Sequence, residues 1–357
     1  MNLDEEKQSG YFKGRGSQVN PHNHFLKNSY VKEHVEGIDD WEELDQKTSY
    51  IFGDAKSVVN KVDSPDVGMA YSLNPYQGCE HGCTYCYARN VHEYWGFSAG
   101  LDFERKIIVK KDAPNLFKKF LEKKGWNASI ISLSGNTDCY QPAERKFKIT
   151  RQLLQIALDY KQPIGMITKN SLVLRDIDIL KEMAKENLCI VYVSINSLNE
   201  DLRLKMEPRT TTAKQRLKVV EELAKAGIPV GVMVAPLIPG LSDHEIPAIL
   251  KAVAERGAKR VGYTVVRLNG AIGGIFKDWL GKNYPDRFDK VWHMIQSCHG
   301  GNVNDSRFGE RMCGGGNIAQ LISDNFKLHS RLNNLNTTAI DLDSSKFRVP
   351  NVQTSLF

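Results

Sequence analysis

From Met69 onward, short apolar runs alternate with longer amphipathic segments, and this alternation restricts the fold more than any other feature of the chain. The runs at 71–74, 107–110, 129–133, 164–168, 189–195, 229–234 and 260–266 read as strands. Between them, 115–124, 147–160, 175–186, 213–226 and 245–256 carry apolar residues at helical spacing, as with Leu153, Leu154, Ala157 and Leu158. Gly227 and Gly257 follow two of these segments as helix stops. Repeated strand–helix units of this kind form right-handed crossovers around a parallel sheet. About six repeats suit a barrel or partial barrel, or an open doubly wound sheet, and periodicity does not choose between them. In either arrangement the functional groups gather at the carboxyl ends of the strands.

The flanks read differently. Residues 1–67 lack sustained apolar periodicity and contain GRGSQVNPHNHF (Gly14–Phe25) and an acidic stretch at 36–45, as expected of an extension that wraps the core or stays partly mobile. Residues 68–270 form the core domain, and 271–357 form a helical appendage, with apolar spacing at 288–295 and 318–326, that ends in a ragged tail. No apolar stretch approaches the roughly 18 residues of a membrane helix, and the start has no secretory pattern. A cytoplasmic protein without membrane association is therefore expected. The 357 residues carry 48 Lys+Arg against 42 Asp+Glu, a net charge of +6 that is too mild to declare a partner. Basic residues concentrate at 105–124 and 203–218. If those segments share a face they attract a DNA or RNA polyanion, and otherwise they are solvated helix surfaces.

Seven cysteines make no disulfide framework in a chain of this length. Cys79, Cys83 and Cys86 crowd into eight residues directly after the first core strand, with the spacing C-x3-C-x2-C. Three thiolates on one tight loop suit three irons of a [4Fe–4S] cluster, leaving the fourth iron open for catalysis. A structural zinc site is the competing reading, and it needs a fourth ligand from His81, His92 or a distant cysteine.

The loop CEHGCTYCYAR resembles the cluster-binding loop of radical S-adenosylmethionine (SAM) enzymes, and within them the relatives of spore photoproduct lyase, the DNA repair photolyase-like proteins. The segments that carry the resemblance are GRGSQVNPHNHF, SPDVGMAYSLNPYQGCEHGCTYCYAR, GLDFERKIIVKKDA, NTDCYQPAE, ITKNSLVLRDIDIL, VSINSLNEDLRLKMEPRT, VAPLIPGLSDHE and GYTVVRLNG, in order from Gly14 to Gly270. The resemblance implies an α/β fold, a partial (β/α)6 TIM-like barrel. It also implies a [4Fe–4S] cluster on Cys79, Cys83 and Cys86 with SAM on the open iron. An external electron donor, flavodoxin- or ferredoxin-like, would drive cleavage to methionine and a 5′-deoxyadenosyl radical that abstracts hydrogen from a substrate. The protein binds, orients and shields, because the cofactor carries the difficult chemistry.

Matching motif positions imply a SAM site at the strand ends. Tyr85 reads the adenine edge and Tyr87 packs against the base, while Thr137 and Asp138 offer acceptors to the methionine ammonium. Lys169 meets the carboxylate as a point charge, with Ser194 as its second partner. Arg209, in Glu207–Pro208–Arg209, clamps ribose or carboxylate, or is an ordinary surface ion pair. Ala235 ends a strand where backbone reaches adenine or ribose. The lyases use a cysteine as hydrogen donor near the end of the second core strand, a place held here by Ser134 or Gly135. Cys139, a few residues later, is the candidate donor, with a plain loop substitution as the competing reading. Lyase activity does not carry over on that placement. A metal-containing nucleic-acid-binding module without radical chemistry, and a radical SAM enzyme modifying a peptide or metabolite, stay open as alternatives, as do the substrate and the oligomeric state.

Overall fold

The computed structural model describes residues 12–26 and 47–350. The acidic stretch at 36–45 lies outside the described residues. Among the described residues, ten strands fall into two sheets. They are β1 (Ser49–Phe52), β2 (Val59–Lys61), β3 (Tyr71–Leu73), β4 (Tyr76–Gln77), β5 (Lys106–Val109), β6 (Ile131–Leu133), β7 (Ile164–Thr168), β8 (Cys189–Ser194), β9 (Val230–Leu237) and β10 (Arg260–Val265). The large sheet has the order β10-β9-β8-β7-β6-β3-β2. Six of its strands, β3 and β6 to β10, run parallel, and β2 pairs antiparallel on the β3 edge.

Each parallel strand is laid beside its predecessor, always in the same direction, so right-handed crossovers put the connecting helices on one face. The order never reverses, and the switch point of a doubly wound sheet is absent from it. This winding is that of a partial (β/α)6 barrel.

The run at 107–110 does form a strand, β5, but not in the barrel. It pairs in parallel with β1 and antiparallel with β4 in a small separate sheet. Its partner β1 belongs to the amino-terminal extension, so local periodicity held no trace of the pairing.

The helices are α1 (Arg89–His92), α2 (Leu101–Arg105), α3 (Ala113–Leu121), α4 (Ala143–Phe147), α5 (Ile149–Asp159), α6 (Ile177–Lys185), α7 (Glu200–Met206), α8 (Ala213–Lys225), α9 (Ile246–Ala254), α10 (Ile272–Asn283), α11 (Phe288–Cys298) and α12 (Gly316–Leu332). Period-two alternation along the strands divides the barrel. Ile164, Met166, Val191, Val193, Val230, Val232 and Val234 join the core beneath the helices, so Gly165, Ile167, Tyr192, Gly231 and Met233 face the opposite way. There a methyl group on Gly231 would overlap the Tyr192 ring, and one on Gly262 would come 3.0 Å from the Met233 sulfur. Large residues on one strand fill the space that glycines leave on the next.

The extension wraps the core where it is described. Gly16 N and Ser17 N donate to the Glu104 carboxylate at 3.0 and 2.8 Å, and Arg15 donates to the Glu104 carbonyl at 2.8 Å. The described part of the tail is not ragged. Asn336 N, Asp343 N and Arg348 N donate to the carbonyls of Lys259, Asn187 and Tyr160, residues that precede β10, β8 and β7. The tail is thus a strap across the amino ends of the strands, with Phe347 and Val349 packed on the core. Backbone pairing and two apolar anchors hold it, and neither gives a periodic signal. Among the described residues no helix is long and apolar enough to cross a membrane.

Neither basic segment is wholly available as surface. Arg105, Lys110, Arg203 and Arg216 are buried, and Lys106 and Lys205 pair with Asp102 and Asp201. Much of the basic charge in 203–218 works inside the fold.

Candidate active site

Strand β3 ends at Leu73, and the chain enters the three-cysteine loop through β4. A lattice of polar contacts fixes the loop. Cys79 N donates to Phe103 O at 2.9 Å, Glu80 N to the Gln141 side chain at 3.0 Å, and Thr84 N to Met206 O at 3.1 Å. Gln141 in turn donates to Gly78 O. Just past the third cysteine, Arg89 is fully buried and reaches back to the Cys83 carbonyl at 2.9 Å, while its other nitrogens bind Ala99 O, Gly100 O and Glu104. A methyl group on Gly16 would overlap the Gly82 carbonyl, so the extension touches the loop backbone directly.

Cys79 and Cys83 are buried and Cys86 is half-buried. Burial pushes all three thiols above their ordinary range, and Cys79 also feels the charges of Asp138, Cys86 and Cys83. Thiols in such a place ionise only against a compensating positive charge, which is what iron supplies. Among the described residues no three of His, Cys, Asp and Glu are gathered tightly enough for a single metal ion. A four-iron cluster does not ask for that, because each thiolate binds a different iron. His81 is not free to complete a zinc site: its ring nitrogens face Asp138 at 3.3 Å and Asn170 at 3.2 Å. The donor set therefore fits an iron–sulfur cluster.

Around the loop stand the strand-end residues. Lys169 follows β7 on the inner face. Its ammonium lies 5.8 Å from the centre of the Tyr85 ring and makes no hydrogen bond or ion pair with the described residues. Burial pulls its pKa down, but Cys83 and Glu207 more than compensate, and the group ends above its ordinary value. Ser194 closes β8, facing the same side. Ala235 lies near the end of β9, half-buried, joined to Pro236 by a cis peptide bond. Tyr85 is buried and its hydroxyl donates to Glu207. Tyr87 is 54% exposed and spans the mouth to donate to Gly135 O at 2.8 Å.

Other expected groups serve the scaffold. The Asp138 carboxylate accepts from Thr168 Oγ1, Lys169 N and Tyr140 N, and faces His81. Burial raises its pKa, but His81 and the two amides outweigh burial and hold it low. Thr137 donates to Tyr76 O at 2.7 Å and is buried. Arg209 is turned to the outer side of the cysteine loop, 3.7 Å from Glu80 and 3.4 Å from Thr48. Cys139 is fully buried in the main core, its amide held by Ser134 Oγ and its carbonyl by Thr150. Ser134 makes that turn in the left-handed region, at φ 74°. Cys139 therefore lies behind the rim, not on it.

Sequence reasoning underrated one pair. Glu207 is completely buried; it accepts from Tyr85 and, at 2.5 Å, from Arg216. Arg216 also donates to the carbonyls of Ser194 and Thr211 at 2.9 and 2.8 Å. Burial opposes the Glu207 charge, yet Arg216 and Lys169 bring its pKa to about 2. Glu207 is not part of a surface ion pair; it is the buried centre that joins the cysteine loop, β8 and Lys169. A signal existed: Arg216 falls on the buried stripe of α8 with Ala213, Val219, Val220 and Leu223, where only a paired charge is tolerated.

Three thiols crowded on one loop, with a lysine and a serine at successive strand ends of a half-barrel, agree with the family model of the radical SAM superfamily, which matches residues 73–253. The chain belongs to the radical SAM superfamily. Its relatives include an uncharacterized protein of Mycobacterium tuberculosis, 32% identical over 234 residues that make up 65% of this chain and 69% of that one. An uncharacterized protein of Methanocaldococcus jannaschii is 29% identical over 249 residues, 70% of this chain and 88% of the other. Among solved structures, spore photoproduct lyase complexed with dinucleoside spore photoproduct superposes with a TM-score of 0.58 at 16% identity, covering 84% of this chain and 85% of that chain. That likeness establishes a shared fold. As a superfamily member this radical SAM protein calls for a [4Fe–4S] cluster, SAM and an electron donor.

Proposed function

We propose that this protein is a radical SAM enzyme that abstracts hydrogen from a nucleic-acid substrate presented at the carboxyl rim of the barrel. When bound, the cluster and SAM supply a 5′-deoxyadenosyl radical after one-electron reduction by a flavodoxin- or ferredoxin-like donor. Cys79, Cys83 and Cys86 hold the cluster. Lys169, without a hydrogen-bonded partner of its own, is the group for the SAM carboxylate, and the Ser194 hydroxyl is its neighbour. Tyr85, Tyr87 and Ala235 frame the adenosine. The loop at 134–138 receives the methionine ammonium, with Thr137 and Asp138 shaping the loop through their bonds to Tyr76, Thr168 and Lys169.

The observation that carries this reading is the Lys169 ammonium, which lies beside the Tyr85 ring of the three-thiol loop and makes no hydrogen bond or ion pair with the described residues. The nucleic-acid part is supported by the solved relative with a bound dinucleoside photoproduct. The proposal stops at hydrogen abstraction, because Cys139, the candidate thiol donor, is buried in the main core. A reducing, cytoplasmic setting suits the exposed fourth iron.

The test is anaerobic reconstitution, reduction with dithionite, addition of SAM and measurement of 5′-deoxyadenosine. Product that disappears in Cys83→Ala is expected. A fully loaded cluster that never cleaves SAM, with or without DNA or RNA, would overturn the reading in favour of a binding protein.

A further inference from the structure

A second rim cation, Arg267, stands two residues past β10 and also lacks a hydrogen-bonded or ion-paired partner among the described residues. Its backbone is firmly placed. Val266 N donates to Leu237 O at 2.9 Å, the His299 ring lies 2.8 Å from Val266 O, and Leu268 N donates to Val303 O at 2.9 Å. Val266 and Leu268 are buried in the upper core with Cys83 and Tyr85, so in extended chain the side chain between them turns the other way.

The neighbouring acids are already engaged. Asp66 takes Arg311 and Gly309 N, while Asp305 and Glu310 close on Arg307 at 2.6 and 2.7 Å. Burial and the charge of Arg311 both pull down the Arg267 pKa, which Asp66 and Asp305 only partly offset. A half-buried guanidinium kept without a partner costs free energy that a bound anion would return.

Lys169 and Arg267 are three strands apart, about 14 Å at the usual strand spacing. Arg267 turns away from the Cys83 and Tyr85 side that Lys169 faces, so with Lys169 given to SAM the second cation is left for another ligand. We propose that Arg267 anchors a backbone phosphate of the substrate strand through its planar fork of donors. This rests on the nucleic-acid reading above.

The test uses reconstituted full-length protein and fluorescein-labelled single strands of about 12 nucleotides: DNA, RNA, and DNA with an uncharged methylphosphonate backbone. Arg267→Gln is expected to weaken DNA or RNA binding about tenfold and to lower the slope of log affinity against log salt by about 1. Arg267→Lys should restore the slope without the full affinity, and binding of the methylphosphonate strand should not respond to either change. Cluster absorbance and thermal midpoint at wild-type values certify the fold of the variants. Wild-type binding that Arg267→Gln leaves unchanged overturns the anchor alone. A wild type that cleaves SAM yet binds none of the strands removes the nucleic-acid reading and the anchor with it.

Discussion

Arg89 and Glu104 form a 2.5 Å ion pair in which both side chains have no solvent exposure. The pair ties the end of the cysteine loop to the amino-terminal extension, because Glu104 also accepts Gly16 N and Ser17 N. Removing one partner strands a buried charge, which costs about 3–5 kcal/mol. Arg89→Met should therefore lower both the thermal midpoint and the iron content of the purified protein, and Arg89→Met with Glu104→Leu should recover part of the stability. Equal midpoints for wild type and Arg89→Met would show that the pair is not what holds the loop.

Contact between Gly16 and Gly82 leaves no room for a side chain. Gly16→Ala should destabilise the protein by about 1–3 kcal/mol through overpacking. Because the overlap is with loop backbone, iron and sulfide retention should fall together with the urea midpoint. A variant with a lowered midpoint and full iron content would separate the extension from the cluster.

Cys83→Ala and Cys139→Ala should behave oppositely. Loss of Cys83 removes a cluster ligand, and acid-labile sulfide and 5′-deoxyadenosine should both drop to background. Cys139 is packed in the core, with its backbone bonded to Ser134 and Thr150. Cys139→Ala should keep the cluster's absorbance. Loss of the cluster in that variant would place its sulfur in the site.

Lys169→Met should weaken SAM binding by about ten- to a hundredfold, the range expected for a lost charge-assisted bond of about 1.5–3 kcal/mol. Arg209→Met should do far less, because that guanidinium is already engaged with Glu80 and Thr48. Equilibrium dialysis of SAM against the two loaded variants decides the matter, and the reverse ranking would reassign the carboxylate site.

His92 is fully buried, neither ring nitrogen has a hydrogen-bond partner, and burial lowers its pKa to about 4. An unfolded histidine takes up its proton near 6.5. Between these values the unfolded chain binds more protons, so stability from His92 is complete above about pH 6.5 and is lost as pH falls toward 4. From pH 7.5 to 5.5 the loss is on the order of 1 kcal/mol. Anaerobic urea titrations should show that loss shrinking in His92→Phe, whose ring suits neighbours Phe97 and Phe103. A pH dependence identical in the two proteins would contradict a buried neutral imidazole.

Local chemistry wrote much of this protein legibly. Strand β7 runs over the same residues that its apolar pattern marks, and α8 ends within one residue of its expected limit, because side-chain periodicity is a property of neighbours in the chain. The three-cysteine loop was legible for the same reason, since all its ligands lie within eight residues. The SAM-site candidates were readable only as strand ends. Position alone did not separate Lys169, whose ammonium is unpartnered, from Asp138, whose carboxylate is consumed by Thr168, Lys169 and His81.

What tertiary structure decided are the relations between distant residues. Whether the strands wind one way or two depends on which edge each new strand joins, and local sequence carries no record of that choice. The pairing of β1 with β5, the strap from Asn336 to Arg348 and the union of Tyr85, Glu207 and Arg216 join segments far apart in the chain. In the last case burial set the outcome. A charge or a thiol that looks ordinary in sequence takes its role from whether folding leaves it with a partner, and only the assembled barrel settles that.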